Sequence, residues 1–131
     1  MNETNQSSFV PQLFISSGVR DIAFYSKAFD AVVQRQWLND DGSIHVAELS
    51  INNAIFHLHE ESPNKNLLSP EKNNGTTVIV GLFVSDVDTV MNNAKAAGAI
   101  EISAAQDYDY GYRQGELKDP FGHVWMIEMK I

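Results

Sequence analysis

The sequence predicts an α+β fold in which two βαβββ modules form a pseudo-symmetric, sheet-lined cup with the helices outside. Three observations predict it: a repeated strand motif, a helix-period segment after each copy, and a hairpin signal in each half. Leu13-Phe14-Ile15-Ser16 recurs as Leu82-Phe83-Val84-Ser85, 69 positions later. Glu48-Leu49 likewise recurs as Glu116-Leu117, where each hairpin is expected to begin.

Each copy of the repeated motif leads into an amphipathic segment. Residues 21–29 and 86–97 both place apolar side chains on one helical stripe. Asp86 suits a helix N-cap and Gly98 suits the position after a helix, where the first half has Asp30. We therefore expect helices over 21–29 and 86–97, each followed by a short strand, over 31–37 and 99–103.

Strand alternation sorts the residues of each predicted hairpin by face. In the first half a turn at Asn52-Asn53 pairs Glu48 with His57 and Val46 with His59. Glu48, His57 and His59 then share a mixed polar face, and the opposite face is uniformly apolar and takes the helix. The second half turns at Asp119-Pro120-Phe121-Gly122 and presents a similar mixed face. We expect the two mixed faces to enclose a space for a small molecule.

The chain is expected to form a single domain over 9–131, preceded by a disordered tail over 1–8. Module one spans 9–60 and module two spans 78–131. The segment 61–77 between them is rich in Ser, Pro, Asn, Lys and Gly, which predicts a surface linker. A length of 131 residues with 44% hydrophobic residues is ordinary for one soluble domain.

Composition excludes several classes of partner and chemistry. The net charge is −8 and Lys and Arg form no cluster, so nucleic acid and anionic membrane surfaces are not expected partners. The chain has no cysteine, which excludes disulfides, thiolate metal sites and a cysteine nucleophile. The polar N-terminal residues lack the pattern of a secretory signal, and we expect a cytoplasmic protein.

Several motifs together resemble the vicinal oxygen chelate superfamily of glyoxalases, bleomycin resistance proteins and extradiol dioxygenases. They are Asp21-Ile22-Ala23-Phe24-Tyr25-Ser26-Lys27-Ala28-Phe29, Val46-Ala47-Glu48-Leu49, Val84-Ser85-Asp86-Val87-Asp88, Ala96-Ala97-Gly98-Ala99 and Asp119-Pro120-Phe121-Gly122-His123-Val124-Trp125. The last of these resembles most the phosphonate-operon-protein-like branch. The resemblance covers roughly residues 10–131 and implies the two-module cup and an isologous homodimer.

The resemblance also implies where metal-dependent members would hold their ion. Those positions fall at Val10, Glu48, Ile79 and Met126. Only Glu48 could bind a hard divalent ion, so we expect no metal at the usual positions and no cofactor. A relocated divalent metal bound by Glu48, His57 and His59 stays open, as does a plain polar edge. In either case Glu48 and His57 could act as a general acid–base dyad.

Residues 107–113 are the most unusual stretch of the chain in composition, with three tyrosines, two aspartates and an arginine. Tyr110 and Tyr112 could stack on a flat ligand and Arg113 could pair with an anion, as a mobile aromatic segment bordering the cup. An ordinary loop covering a strand edge is the other interpretation. Trp37 is expected in the core or in a dimer contact.

The residues leave three functions open. The first is a metal-independent protein that binds a small organic ligand in the cup through Glu48, His57, His59, Tyr110, Tyr112 and Arg113. The second is a lyase or isomerase of the glyoxalase type, using the Glu48–His57 dyad or a relocated metal. The third is a domain whose cup has become the packed core of a dimer.

Overall fold

The computed structural model of the chain describes residues 6–131, so most of the predicted tail, 1–8, lies outside the described residues. Each half forms a strand, a helix and three further strands. The elements of the first half are β1 (Gln12–Ile15), α1 (Phe24–Phe29), β2 (Val32–Leu38), β3 (Ile44–Ile51) and β4 (Ala54–Glu60). Those of the second half are β5 (Ile79–Phe83), α3 (Val87–Ala96), β6 (Ile100–Tyr108), β7 (Tyr112–Lys118) and β8 (Val124–Lys130). Between the halves lie one 3₁₀ turn, Pro63–Lys65, and α2 (Pro70–Asn73).

The two modules share one topology. Sheet one has the strand order β1-β4-β3-β2 and sheet two has the order β5-β8-β7-β6. In both sheets the first strand pairs in parallel with the last, and the other pairs are antiparallel. This identical order confirms the predicted α+β fold built from two βαβββ modules. None of the helices described over residues 6–131 is long and apolar enough to cross a membrane.

The register predicted for the first hairpin is confirmed. Asn52 has a φ of 55°, which suits the turn, and Leu49 pairs with Phe56 beside it. Glu48 pairs with His57 and Val46 with His59. The apolar face and the mixed polar face are therefore separated as expected.

The predicted capping residues lie where expected at the start of α3 and at the end of α1, whereas the start of α1 differs. Asp86 caps α3 by accepting a hydrogen bond from Thr89 N, and Asp30 ends α1 in the left-handed conformation. The helix α1 begins at Phe24 rather than near residue 21, because the Asp21 carboxylate accepts a hydrogen bond from Ala23 N and closes a turn first. Strand β6 continues to Tyr108, well beyond the predicted end of the strand at 103.

The segment between the modules is mostly exposed, with only Glu61, Ser69 and Pro70 buried. Ser69 is fully buried and caps α2, and the buried Glu61 accepts a hydrogen bond from Ser69 N. Ser16, at the end of β1, bonds to the Ser69 hydroxyl. The segment is thus held to module one by a few polar groups, which satisfy one another and can be buried without large cost.

One core joins the two modules, and Tyr25 lies at its centre. The helices α1 and α3 pack against each other, and the Tyr25 ring contacts Phe56 of sheet one and Trp125 of sheet two. The Tyr25 hydroxyl donates to Asp119 Oδ2 at 2.5 Å, and Trp125 Nε1 donates to the same oxygen at 3.0 Å. Burial, followed by the charge of Asp119, raises the pKa of Tyr25 well above its ordinary value of 10.0. The apolar faces of both sheets therefore meet one shared core.

We predict that Tyr25→Phe lowers the free energy of unfolding by about 1–3 kcal/mol, because it removes a buried hydrogen bond to a carboxylate. Urea unfolding followed by far-UV circular dichroism measures this change. Tyr112→Phe is the matched control, since Tyr112 is only partly buried and its hydroxyl makes no hydrogen bond to residues 6–131. Equal stability of the two variants would contradict the role given to Tyr25.

Candidate functional site

The mixed polar face of sheet one carries two rows of side chains that cross all four strands in register. Each row takes one residue from each strand, and the two rows lie two residues apart along every strand. The first row, from β1 to β2, is Gln12, His57, Glu48 and Arg35. The second row, in the same order, is Phe14, His59, Val46 and Trp37. One row is thus wholly polar and the other is mainly apolar.

The side chains of Glu48 and His57 are in contact, as their predicted cross-strand pairing requires. The distance from His57 Nε2 to Glu48 Oε1 is 3.3 Å, and each side chain keeps about a quarter of its surface exposed (25% and 27%). On the other side of the ring, His57 Nδ1 lies 3.2 Å from Gln12 Oε1. The imidazole is therefore fixed between two oxygen acceptors while one part of it stays open to solvent.

His59 is a neutral imidazole in apolar surroundings. Its ring lies 5.6 Å from the Phe14 ring and 6.4 Å from the His57 ring, centroid to centroid. Desolvation by burial, together with the nearby His57 and His45, lowers the pKa of His59 below its ordinary value of 6.5. At neutral pH the ring can accept as well as donate a hydrogen bond.

Neither metal arrangement considered from the sequence fits the residues present. Val10, Ile79 and Met126 offer no oxygen or nitrogen donor in their side chains, so the usual positions of metal-dependent relatives do not suit a hard divalent ion. The relocated set of Glu48, His57 and His59 does not form a metal-binding group either. Within residues 6–131, no group of three or more His, Asp or Glu side chains is arranged to hold an ion.

The tyrosines of module two form an ordered cluster on a hairpin rather than a loop. β6 ends at Tyr108 and β7 begins at Tyr112, with Gly111 at a φ of 93° in the tight turn between them. The rings of Tyr108 and Tyr110 stack at 5.3 Å with an interplanar angle of 15°, and Tyr112 lies 5.9 Å from Tyr110. The Tyr110 hydroxyl donates to Gln114, which in turn donates to Glu128 at 2.8 Å.

Arg113 does not belong to the polar face of sheet two, which corrects the expectation that it pairs with a ligand anion there. It alternates with Tyr112 along β7 and therefore lies on the helix side. Its guanidinium donates to Asp88 of α3 at 2.8 Å and to Asp107 of β6 at 2.9 Å. These two hydrogen bonds raise the pKa of Arg113. Its charge is therefore neutralised within the chain by Asp107 and Asp88. Asp88 lies on a helix, and the local sequence gave no sign of this contact.

Arg35 was not singled out in the sequence, and it is the cation that lies on the polar face of sheet one. It stands opposite Glu48 in the ladder between β2 and β3. Its guanidinium carbon lies 5.5 Å from the centre of the Trp37 ring, and Trp37 is 46% exposed rather than in the core. The alternation of β2, in register with Glu48, was the signal that could have identified it.

The predicted site residues do not line a common cavity within one chain. Glu48, His57 and His59 lie on sheet one, and Tyr110 and Tyr112 belong to module two. No hydrogen bond, ion pair or ring contact recorded for residues 6–131 joins the two groups. Three clefts of about 530, 330 and 550 Å³ are lined by none of the six predicted residues, although Gln12 and Phe14 of the two rows border the first. The first of these, the β1–β5 cleft, is bordered by Gln12–Phe14 on one side and by residues 77–81 on the other.

We predict that His59 titrates below pH 6.5 and that His57→Gln moves its midpoint upward. The variant removes a nearby positive charge but leaves the burial that disfavours the imidazolium. The ¹H–¹³C resonances of the ring, followed by NMR from pH 5 to 8, measure both effects. His45→Gln is the comparison variant, because His45 lowers the pKa of His59 less than His57 does. A His59 midpoint at or above 6.5 would contradict the environment described here.

The chain was compared with known protein families and curated proteins. A family model described as the Glyoxalase/Bleomycin resistance protein/Dioxygenase superfamily matches residues 12–127. An uncharacterised protein of Mycobacterium bovis is 36% identical over 124 residues, which cover 92% of this chain and 82% of that protein. An uncharacterised protein of Mycobacterium tuberculosis is also 36% identical over 124 residues, covering 92% of this chain and 73% of that protein.

Solved structures show the same fold. TioX from Micromonospora sp. ML1 superposes with a TM-score of 0.71 at 24% identity, covering 95% of this chain and 97% of TioX. A glyoxalase/bleomycin resistance protein/dioxygenase family enzyme from Burkholderia phytofirmans gives 0.64 at 21% identity, covering 92% of this chain and 97% of that one. The match of the family model over nearly the whole fold, together with the two in-register modules, identifies the chain as a member of the glyoxalase/bleomycin resistance protein/dioxygenase superfamily.

Proposed function

We propose that this protein is a metal-independent, bleomycin-resistance-like protein of the cytoplasm that binds a small organic ligand on the polar faces of its sheets. The observation that carries the proposal is the pair of in-register rows on sheet one. Side chains that can hydrogen-bond or stack are held there by one another and remain partly exposed. Binding needs such groups to be preorganised, because every side chain ordered by the ligand costs free energy.

The two faces support different contacts with a ligand: sheet one supports hydrogen bonds, and module two supports ring stacking. On sheet one, Glu48 and Gln12 hold His57 from both sides, at 3.3 and 3.2 Å. In module two, Tyr110 and Tyr112 present neighbouring rings whose orientation is set by the hydrogen bond from Tyr110 to Gln114. The first group supports directional hydrogen bonds and the second supports contact with a flat ring system.

A second copy of the chain would bring these two groups together. The outer strands, β2 and β6, are exposed along most of their length. They leave large apolar side chains in solvent: Val32, Val33, Trp37, Leu38, Ile100 and Ile102. Exposed apolar residues on both edge strands favour a partner surface, and we propose an isologous homodimer in which sheet one of one copy faces sheet two of the other.

The alternative function is a lyase or isomerase of the glyoxalase type. The geometry of Glu48 and His57 is the specific observation that favours it. A carboxylate 3.3 Å from Nε2 would hold the tautomer with its proton on Nε2 and stabilise the imidazolium, so that Nδ1 could take a proton from a bound substrate that displaces the Gln12 amide. The dyad alone serves hydrogen bonding to a ligand equally well, and the binding function needs no further groups.

Metal analysis separates the two functions when it is combined with a ligand screen. We expect protein purified without an affinity tag or chelator to contain substoichiometric metal, and we expect EDTA to leave its Tm unchanged. In a thermal-shift screen of small organic compounds, a ligand that binds only the folded state raises the Tm. Glu48→Gln and His57→Gln should each weaken the best compound about five- to tenfold, through one lost hydrogen bond.

His45→Gln is the control for both variants, because the His45 side chain is 60% exposed and contacts Glu60 rather than Glu48 or His57. Stoichiometric metal that disappears in Glu48→Gln or His57→Gln would contradict the metal-independent proposal and support the enzyme.

For the dimer, we expect analytical ultracentrifugation at micromolar concentration to give the mass of two chains. Ile102→Asp should shift the protein to one chain without loss of folding, because Ile102 is 48% exposed in the single chain. Leu67→Asp introduces the same charge at a side chain that is 40% exposed in the segment between the modules, and it should stay dimeric. A wild-type protein that sediments as one chain would refute the dimer.

A further inference from the structure

The polar face of sheet one carries one positive charge that is not part of an ion pair within residues 6–131. Arg35 is the one Lys or Arg in the two rows, and no carboxylate of residues 6–131 lies within the 4.0 Å that defines an ion pair with it. Its neighbour in the row, Glu48, is engaged by His57 at 3.3 Å. A guanidinium with this little compensation can pair with an anion from outside the chain.

The position of Arg35 leaves its hydrogen-bonding edge available. The guanidinium carbon of Arg35 lies over the Trp37 ring, 5.5 Å from the ring centre. A cation–π contact does not consume the N–H donors, which lie in the guanidinium plane. A carboxylate accepts two such donors in parallel, which gives a short and directional contact.

The second row provides an apolar surface at a defined distance from that charge. Phe14, Val46 and Trp37 lie on the same face, two residues along their strands from the polar row. Two residues of a β-strand span about 6.5–7 Å. Because the Arg35 guanidinium carbon lies 5.5 Å from the centre of the Trp37 ring, a ligand lying across both rows would carry its anionic group close beside its apolar body.

From this arrangement we propose that module one binds a small amphipathic organic anion. Its carboxylate pairs with Arg35, and its flat apolar body lies over Phe14 and Val46 beside Trp37. The inference rests on the proposed ligand-binding function and names the class of ligand that the site would take.

Module two serves as an internal comparison because it has the same strands in the same order. The row of sheet two that corresponds to the polar row of sheet one runs across its four strands. It consists of Gly81, Met126, Glu116 and Ser103. Ser103 stands where module one has Arg35. Glu116 corresponds to Glu48, but its cross-strand neighbour is the thioether of Met126 rather than an imidazole. This row has no cation and keeps a carboxylate, so the anion is assigned to module one.

A matched pair of probes tests the charge separately from the apolar contact. Naphthalene-1-carboxylate and naphthalene-1-carboxamide have nearly the same shape, and only the first is an anion at neutral pH. Isothermal titration calorimetry of the full chain should give a Kd for the carboxylate about tenfold lower than for the amide, the ratio expected for one charge-assisted bidentate contact. Raising the salt concentration should reduce this ratio, because the guanidinium is exposed.

Two variants then assign the preference to a residue. Arg35→Gln should remove the tenfold preference and leave the affinity for the amide within about twofold of wild type. Lys27→Gln makes the same change in charge on α1, which lies on the apolar side of the sheet, and should retain the preference. Trp37→Leu should weaken both probes together. Because Arg35 and Trp37 are exposed, these variants are expected to fold, which circular dichroism verifies.

The outcomes distinguish this inference from the function on which it rests. A preference for the carboxylate that survives in Arg35→Gln overturns the role of Arg35, while probe binding itself still supports the proposed function. Equal affinity of wild type for the two probes, or no binding of either at millimolar concentration, overturns the amphipathic anion as the ligand class. In that case the broad thermal-shift screen still decides whether the protein binds organic ligands at all.

Discussion

The Asp119 carboxylate holds the two modules together, and the rest of the structure depends on it. One of its oxygens accepts hydrogen bonds from Tyr25 of α1 and from Trp125 of β8, and the other accepts from the backbone N–H groups of Phe121 and His123. The residue is only 3% exposed. A buried carboxylate is costly unless all of its lone pairs are used, and here four donors use them. His123 adds a second link between the modules by bonding through Nε2 to the carbonyl of Phe14 at 2.7 Å.

This shared core determines where a site can be. Since the apolar faces of both sheets pack on Tyr25 and its neighbours, the mixed polar faces point away from the core. On sheet one these residues are placed by strand register, whereas Tyr110 of module two lies in the turn between β6 and β7. A register error of one residue would exchange the polar face for the apolar one, so the fold and the candidate site are specified by the same pattern.

Much of this could be predicted from the sequence, and the errors have clear physical reasons. The repeat of Leu13 and Leu82 and the turn at Asn52 predicted the modules and the contact of Glu48 with His57, because these depend on local periodicity. Arg113 was misplaced because Asp88, its partner, lies 25 residues away on a helix. Arg35 was overlooked because β2 is an edge strand with a shifted register between Val33 and Arg35, which hides its alternation. Contacts between distant elements, and bulges, leave little trace in a single sequence.

The two modules share one architecture but present different side chains on their polar faces. Module one has kept an imidazole, a carboxylate and a guanidinium in one row, and module two presents tyrosines and a thioether at the corresponding face. The central claim is that ligands bind on these faces and not in the β1–β5 cleft. Mapping of ¹H–¹⁵N chemical shifts during titration with the best compound of a ligand screen tests it most directly. The account predicts shifts centred on Arg35, Glu48, His57 and the Trp37 indole. Shifts confined to residues 70–81 beside the cleft, with those four unmoved, would contradict it.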